Sequence, residues 1–350
     1  MQTGLLFANK LSLMCQHTHT QIHDMEIVSL NSLIEKSIID NWNRDALTDF
    51  KGATLQYHDV ARKIEKLHIM FENSGVQQGD KIALCGRNSA CWAVAFLATL
   101  TYGAVAVPIL HEFTAEQIHN IVNHSGAKLL FVGDVVATVI DATKMPDLEG
   151  IIYIPDYSLV VSRTEKLTYA REHLNEMFGK KFPKYFRQEH VHYRRETSGE
   201  EMALINYTSG TTGFSKGVMI PYRAMWSNCD FAKSVLGSTV KAGDSVISIL
   251  PMAHMYGMSF EFFFEFLHGC HIYYLTRVPS PAIIAQAFSE VKPAIIIAVP
   301  LVIEKIIRKK VFPKIQNSRM RLLLNMPVLN RKVNQKICEH QEQTHRMEPE

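Results

Sequence analysis

Hydrophobic and polar positions along this chain switch between two periods. From Tyr57 to Ser74, the residues Val60, Ile64, Leu67 and Phe71 recur at helical spacing, and Gly75 closes the run. Lys81 to Cys85 is a short apolar run suited to a buried strand, and Asn88 is placed to cap a helix reaching Ala98. Val105 to Ile109 reads as the next strand. Thr114-x-x-Gln117 has the form of a capping box opening another helix, and Lys128 to Val132 reads as a strand again. This alternation predicts an α/β fold built on a mainly parallel sheet covered by helices.

Residues 156–200 break the rhythm with charged and polar positions, including Lys180-Lys181 and Arg194-Arg195. They are expected to form a surface insertion or a linker between two sheet units, 26–155 and 201–339. In the second unit Met202 to Tyr207 is an apolar strand leading into a glycine-rich loop, and Pro221 opens a helix to about Leu236. Asp244–Leu250, His271–Leu275 and Ala294–Val299 are further expected strands. An aromatic helix, Gly257–His268, and a helix from Pro281 to Glu290 lie between them. Phe260, Phe262, Phe263, Phe264 and Phe266 are too dense for one helical face, so this helix is expected inside the core. Val333–Glu339 retains helical character. The expected fold is α/β with two mainly parallel sheets flanked by helices.

Two segments invite a different reading. Cys91 to Leu110 carries no charge and is long enough to span a bilayer. Gly103 divides it, however, into an Ala-rich helical part and a strand-like Val-Ala-Val-Pro-Ile part, so helix, glycine cap and strand is the expectation. Cys15, His17, His19 and His23 sit together near the start but have no second ligand group close in sequence. Residues 1–25 are expected to be a flexible leader and 340–350 a disordered polar tail. Met25 is an alternative start.

With 350 residues, 47% apolar and 20% charged, the composition is that of a globular protein. A net charge of +3 without a clustered basic patch argues against a nucleic-acid partner. The six cysteines contain no Cys-x-x-Cys pair, and several lie in apolar runs, which suits a reducing, cytosolic setting.

The chemistry concentrates in Tyr207-Thr-Ser-Gly-Thr-Thr-Gly-Phe-Ser-Lys-Gly-Val218. Gly210, Gly213 and Gly217 allow tight backbone turns that bring N–H groups to a ligand. Thr208, Ser209, Thr211 and Thr212 supply hydroxyl donors, and Lys216 a positive charge. Such a loop after a strand is suited to polyphosphate. It is not a P-loop NTPase motif, because Ser215 and Gly217 flank the lysine where that motif has glycine and Ser or Thr. The chain contains no Gly-x-Gly, which removes the dinucleotide fingerprint as well.

The ordered string resembles the signature loop of the adenylate-forming superfamily, which contains acyl-CoA synthetases, luciferases and peptide-synthetase adenylation domains. Gly79-Asp-Lys-Ile-Ala-Leu84 and Gly103-Ala-Val-Ala-Val-Pro108 resemble that family's early sheet. Leu250-Pro-Met-Ala-His-Met-Tyr-Gly257 resembles the segment lining its acyl pocket, and Val299-Pro-x-x-x-Glu-Lys-Ile306 a motif of its long-chain fatty acyl branch. Ser215 stands where the family usually has proline, and Leu301 where the fatty-acyl motif commonly has arginine.

The resemblance implies ATP-dependent activation of a fatty acid carboxylate to an acyl-adenylate and then to a coenzyme A thioester. It implies ATP, Mg²⁺, CoA and a fatty acid as small-molecule partners. Lys216 and His254 are the implied catalytic residues. Thr208, Ser209, Gly210, Thr211, Thr212, Gly213 and Lys216 are the implied phosphate-loop contacts, with Thr211 the implied magnesium ligand. Peripheral contact with a membrane and the oligomeric state are left open. The family's Tyr-Gly-x-Thr-Glu segment, its ribose-binding aspartate and its lid domain with a catalytic lysine do not occur in these residues. The expectation is therefore an incomplete N-terminal domain over 26–339, inactive or partial. A ligase for an aryl or medium-chain acid, and a non-catalytic nucleotide- or acyl-binding module, are the alternatives.

Overall fold

The computed structural model describes residues 29–208, 216–276 and 280–298. The leader, the motif at 299–306, the helix expected at 333–339 and the tail lie outside the described residues. Two sheets form the frame. One has seven strands in the order β7-β6-β5-β3-β4-β8-β9, the other four in the order β10-β11-β1-β2. The larger sheet comprises β3 (Lys81–Cys85), β4 (Val105–Ile109), β5 (Ala127–Val132), β6 (Gly150–Tyr153), β7 (Leu159–Ser162), β8 (Met202–Thr208) and β9 (Lys216–Pro221). The smaller holds β1 (Asp45–Asp49), β2 (Thr54–Gln56), β10 (Ser245–Ser248) and β11 (His271–Tyr274). Pairing is parallel throughout the interior of both sheets. The antiparallel strands β2, β7 and β9 lie at edges. The structure thus has the expected α/β architecture.

The sheets are not successive along the chain. β1 and β2 from the N-terminal part pair with β10 and β11, while β8 and β9 extend the sheet begun by β3. The division into units 26–155 and 201–339 is corrected accordingly: each sheet draws strands from both sides of it. Parallel pairing requires crossover connections, and long crossovers let a strand join a distant partner. The break at 156–200 is also more integrated than a linker, since it supplies edge strand β7 and the helices Glu165–Glu172 and Leu174–Lys181.

The ambiguous stretch after Cys91 resolves as expected. A helix, Ala90–Tyr102, ends at Gly103 in the left-handed conformation (φ 88°), and β4 follows. Among the described residues no helix is long and apolar enough to cross a membrane. The cap of this helix is Ser89, whose Oγ accepts from Trp92 N at 3.1 Å, and not Asn88.

Two other elements depart from expectation. The run after the glycine-rich loop is strand β9 before the helix Tyr222–Leu236 begins. In the expected strand Ala294–Val299, the described part, 294–298, is not a strand; Ala294 makes one strand-like bond, from its N–H to Ser245 O at 2.8 Å. The aromatic helix spans Met255–Leu267 with a π-helical turn at Ser259–Phe263. Phe262, Phe263, Phe264 and Phe266 are buried, as their density predicted.

Both sheets meet the helix Ala90–Tyr102. Asp49, Tyr274 and Ser248 lie side by side in register at the carboxyl ends of β1, β11 and β10. Asp49 accepts from Ala90 N at 2.8 Å, joining the smaller sheet to the helix that follows β3 of the larger one. Burial holds the Asp49 carboxyl above the usual range, partly offset by that bond. The carboxyl ends of β3, β8 and β10 are where the candidate chemistry lies, as is usual in parallel α/β sheets.

Candidate active site

Strands β8 and β9 form an antiparallel pair from Met202↔Pro221 out to Thr208↔Lys216. Thr208 and Lys216 therefore face each other where the hairpin opens, and both are exposed. Residues 209–215 connect them, so the candidates Ser209, Gly210, Thr211, Thr212 and Gly213 lie outside the described residues. The inner part of β8, from Ala203 to Tyr207, is buried, which anchors the base of the loop in the sheet.

Side chains below the loop brace the hairpin. The Tyr207 hydroxyl lies 2.7 Å from His124 Nδ1, on the last turn of the helix Ala115–Ser125. Burial raises the Tyr207 pKa, so its phenol stays protonated and can donate to this nitrogen. Gly217 lies beneath the same ring: a Cβ there would come within 2.9 Å of Ile205 Cγ2 and 3.0 Å of Tyr207 Cζ. A side chain at 217 would displace Tyr207 or part the strands, a packing reason for glycine at this point of the motif.

His254 lies on the turn after β10. It is exposed, its N–H donates to Pro251 O at 3.0 Å, and its Nδ1 accepts from Tyr256 N at 3.2 Å, capping the helix that follows. Gly257 permits the turn: a Cβ would lie 2.6 Å from Pro251 O. Pro251 and Gly257 thus frame His254. Its Nδ1 is engaged in the cap, which leaves Nε2 as the ring atom to meet a ligand. Beside it, the Tyr256 and Phe260 rings lie 5.0 Å apart, and Phe231 meets Phe260 at 6.4 Å. Tyr256 and Phe231 are exposed, so an aromatic surface borders the histidine.

Sequence reasoning linked none of the residues that hold this turn to it. Asn88 Nδ2 donates to Leu250 O at 2.6 Å and to Ser248 Oγ at 3.1 Å, and its Oδ1 accepts from Met252 N at 2.8 Å. Glu261 Oε2 accepts from Ile249 N at 2.8 Å and Leu250 N at 2.7 Å. Asn206 Nδ2 donates to Ala253 O at 2.9 Å. A lone Asn before a helix or inside a strand carries no long-range signal in sequence. Glu261 gave a faint one, as a carboxyl within a run of phenylalanines.

Among the described residues no group of three or more His, Cys, Asp or Glu could hold a metal ion. The implied magnesium ligand, Thr211, lies outside them.

Comparison with known proteins bears on the family and the fold. The family profile described as "AMP-binding enzyme" matches residues 35–343. The long-chain-fatty-acid–CoA ligase ACSBG2 of Homo sapiens is 25% identical over 255 residues, covering 72% of this chain and 36% of that protein. A long-chain-fatty-acid–CoA ligase of Yersinia pestis is 24% identical over 246 residues, covering 60% of this chain and 42% of the relative. This chain thus spans less than half the length of these curated relatives. Among solved structures, a red-emitting luciferase from Phrixothrix hirtus superposes with a TM-score of 0.70 at 17% identity, covering 84% of this chain and 55% of that one. The anthranilate CoA ligase AuaEII in complex with anthranoyl-AMP gives 0.69 at 18% identity, covering 82% and 53%. At such identity these structures speak for the fold, and the profile match, which runs over most of the chain, speaks for the family. The chain belongs to the AMP-binding enzyme family of adenylate-forming ligases.

Proposed function

We propose that this chain carries the polyphosphate- and carboxylate-binding part of an ATP-dependent, AMP-forming ligase that converts a long-chain fatty acid to its acyl-adenylate and then to its CoA thioester. The observation that carries this reading is the facing pair Thr208 and Lys216 at the open end of the hairpin, with Asn206 below them bonded to the carbonyl preceding His254. One strand thereby serves both the phosphate side and the carboxylate side. In the first step a carboxylate oxygen attacks the α-phosphorus of ATP, the α–β bridging P–O bond breaks, and pyrophosphate leaves. In the second a thiolate attacks the acyl carbon and AMP leaves. Lys216 and the Thr208 hydroxyl stabilise charge growing on the departing pyrophosphate and move no proton. His254 donates through Nε2 to the carboxylate and orients it. Thr211 would hold Mg²⁺ bound with the nucleotide, which would supply charge neutralisation.

The names of the long-chain relatives support the fatty acid reading. An aryl acid is the second reading, favoured by a relative named probable 4-coumarate–CoA ligase 1 of Dictyostelium discoideum, 24% identical over 278 residues. Cys85, Cys91, Cys229 and Cys270 form no disulfide among the described residues, in keeping with the proposed reducing, cytosolic setting.

Pyrophosphate binding tests the phosphate role. Titration calorimetry is expected to show weak binding by the unaltered chain and a loss of roughly tenfold in Lys216→Ala, the scale of one exposed charge-assisted contact. Equal affinity in both proteins, or none in either, rejects the role. The family's adenine-contacting segment does not occur in these residues, so this chain alone is expected to form no acyl hydroxamate above background from ATP, Mg²⁺, a long-chain fatty acid and hydroxylamine. Clear hydroxamate formation would show that these residues suffice for adenylation.

A further inference from the structure

The segment from Ser248 to His254 has almost no regular secondary structure, yet its backbone is held at successive points by side chains from three separate elements. Glu261, on the π-helical turn, takes the N–H groups of Ile249 and Leu250. Asn88, after β3, takes Leu250 O and Met252 N. Asn206, within β8, takes Ala253 O. The four bonds from Glu261 and Asn88 hold the strand end and the residues just after it. Only the Asn206 bond comes from the strand that ends at the phosphate loop, and it grips the residue next to His254.

Asn206 is buried, and its partners show why the contact can be specific. It sits two positions before Thr208 and pairs with Val218 across the hairpin. Any shift in the outer end of β8 therefore moves its amide. A neutral amide donor on a buried carbonyl is costly to leave unmade, because neither group can turn to water. An aspartate of the same shape would set oxygen against oxygen, and a leucine would offer no donor.

We propose that Asn206 is a positioning residue that registers the His254 turn against the hairpin end formed by Thr208 and Lys216, so that a ligand held there stiffens the His254 turn. The proposal rests on the reading of these two segments given above. It adds a physical link between them: Asn206 ties the outer part of β8, which ends at Thr208, to Ala253, the residue before His254.

Hydrogen exchange followed by mass spectrometry on the full chain tests it, comparing the unaltered protein with Asn206→Leu and the near-isosteric Asn206→Asp. Without ligand, loss of the bond is expected to speed exchange in 250–258 by about fivefold, the scale of one hydrogen bond. Exchange in the helix Ala90–Tyr102 should stay unchanged. Unchanged exchange in 250–258 overturns the proposal. If Asn206→Leu speeds exchange everywhere, that variant has lost its fold and Asn206→Asp decides by the same criterion. With inorganic pyrophosphate added, the unaltered protein is expected to slow in both 216–221 and 250–258, and Asn206→Asp in 216–221 alone. Equal slowing of 250–258 in the variant overturns the link. If pyrophosphate slows neither segment of the unaltered protein, the phosphate reading falls, while the ligand-free comparison still decides whether Asn206 holds the turn.

Discussion

Replacing Phe96 with alanine is expected to lower the stability of the chain by about 3–5 kcal/mol. Phe96 is fully buried in the helix Ala90–Tyr102, where it stacks on Trp92 with ring centroids 5.2 Å apart. It meets Phe263 edge-on at 5.8 Å and Phe262 at 6.4 Å, both from the aromatic helix after β10. The ring therefore joins the helix that follows β3 of the larger sheet to the one that connects β10 and β11 of the smaller. Truncation removes its transfer energy and leaves a void among flat, rigid rings that cannot easily collapse into it. Phe96→Leu retains much of the volume and should cost below about 1.5 kcal/mol. Urea unfolding at an unchanged slope measures both. A loss under about 1 kcal/mol for Phe96→Ala would contradict this account of the junction.

The second large effect is expected at Glu261. Its Oε2 takes two backbone N–H groups and lies 3.3 Å from Ser248 Oγ, in a fully buried position. Glu261→Leu strips partners from these donors, and buried unpaired donors cost about 1–3 kcal/mol each. A total loss of roughly 2–6 kcal/mol follows from the two amides. Glu261→Gln keeps the accepting oxygen and is expected to be mild.

The comparison also has a pH signature. Burial drives the Glu261 carboxyl well above the usual carboxylate range, although its three donors pull the other way. The folded protein then holds a proton that the unfolded chain has already released. The unfolded state binds fewer protons, so this group's stabilisation is complete below the ordinary carboxylate pKa and is lost as pH rises toward the folded value. Glutamine carries no such proton. Stability of Glu261→Gln relative to the unaltered chain should therefore rise between about pH 5 and pH 8. Glu265, one turn on, is raised by burial and by Glu261 itself; it stays in both proteins, and Glu261→Gln/Glu265→Gln should flatten the profile further. Unfolding free energies across that range provide the measurement, and a constant difference between the two proteins would refute the protonated state.

These two sites show where sequence reasoning reached and where it stopped. The helix Tyr57–Ser74, strands β3, β4 and β5 and the burial of the aromatic run follow from period, caps and composition, all local properties. The proposed phosphate loop was singled out on local grounds as well, because hydroxyls, glycines and a lysine in fixed order suggest a polyphosphate without reference to a fold. Strand β9 was not, since Lys216 to Met219 is exposed and its pairing with β8 carries no amphipathic pattern to announce it. Asn88 was assigned to the wrong partner for a similar reason. As a helix cap it has a local explanation, whereas its actual bonds reach residues 248, 250 and 252.

The same distinction runs through the candidate site. Thr208, Lys216 and His254 were chosen as candidates from their neighbours along the chain. That Thr208 faces Lys216, and that the loop's own strand holds the residue before His254, depended on β8 joining the larger sheet and β10 the smaller. Periodicity encodes which face of an element is apolar, because burial is read residue by residue. It does not encode which parallel strand will be a neighbour, because long crossovers leave many partners open until the cores pack. The chemical class was written in short, contiguous strings of residues. The register between its two halves came from buried amides and a buried carboxyl that only the packed sheets bring within hydrogen-bonding distance.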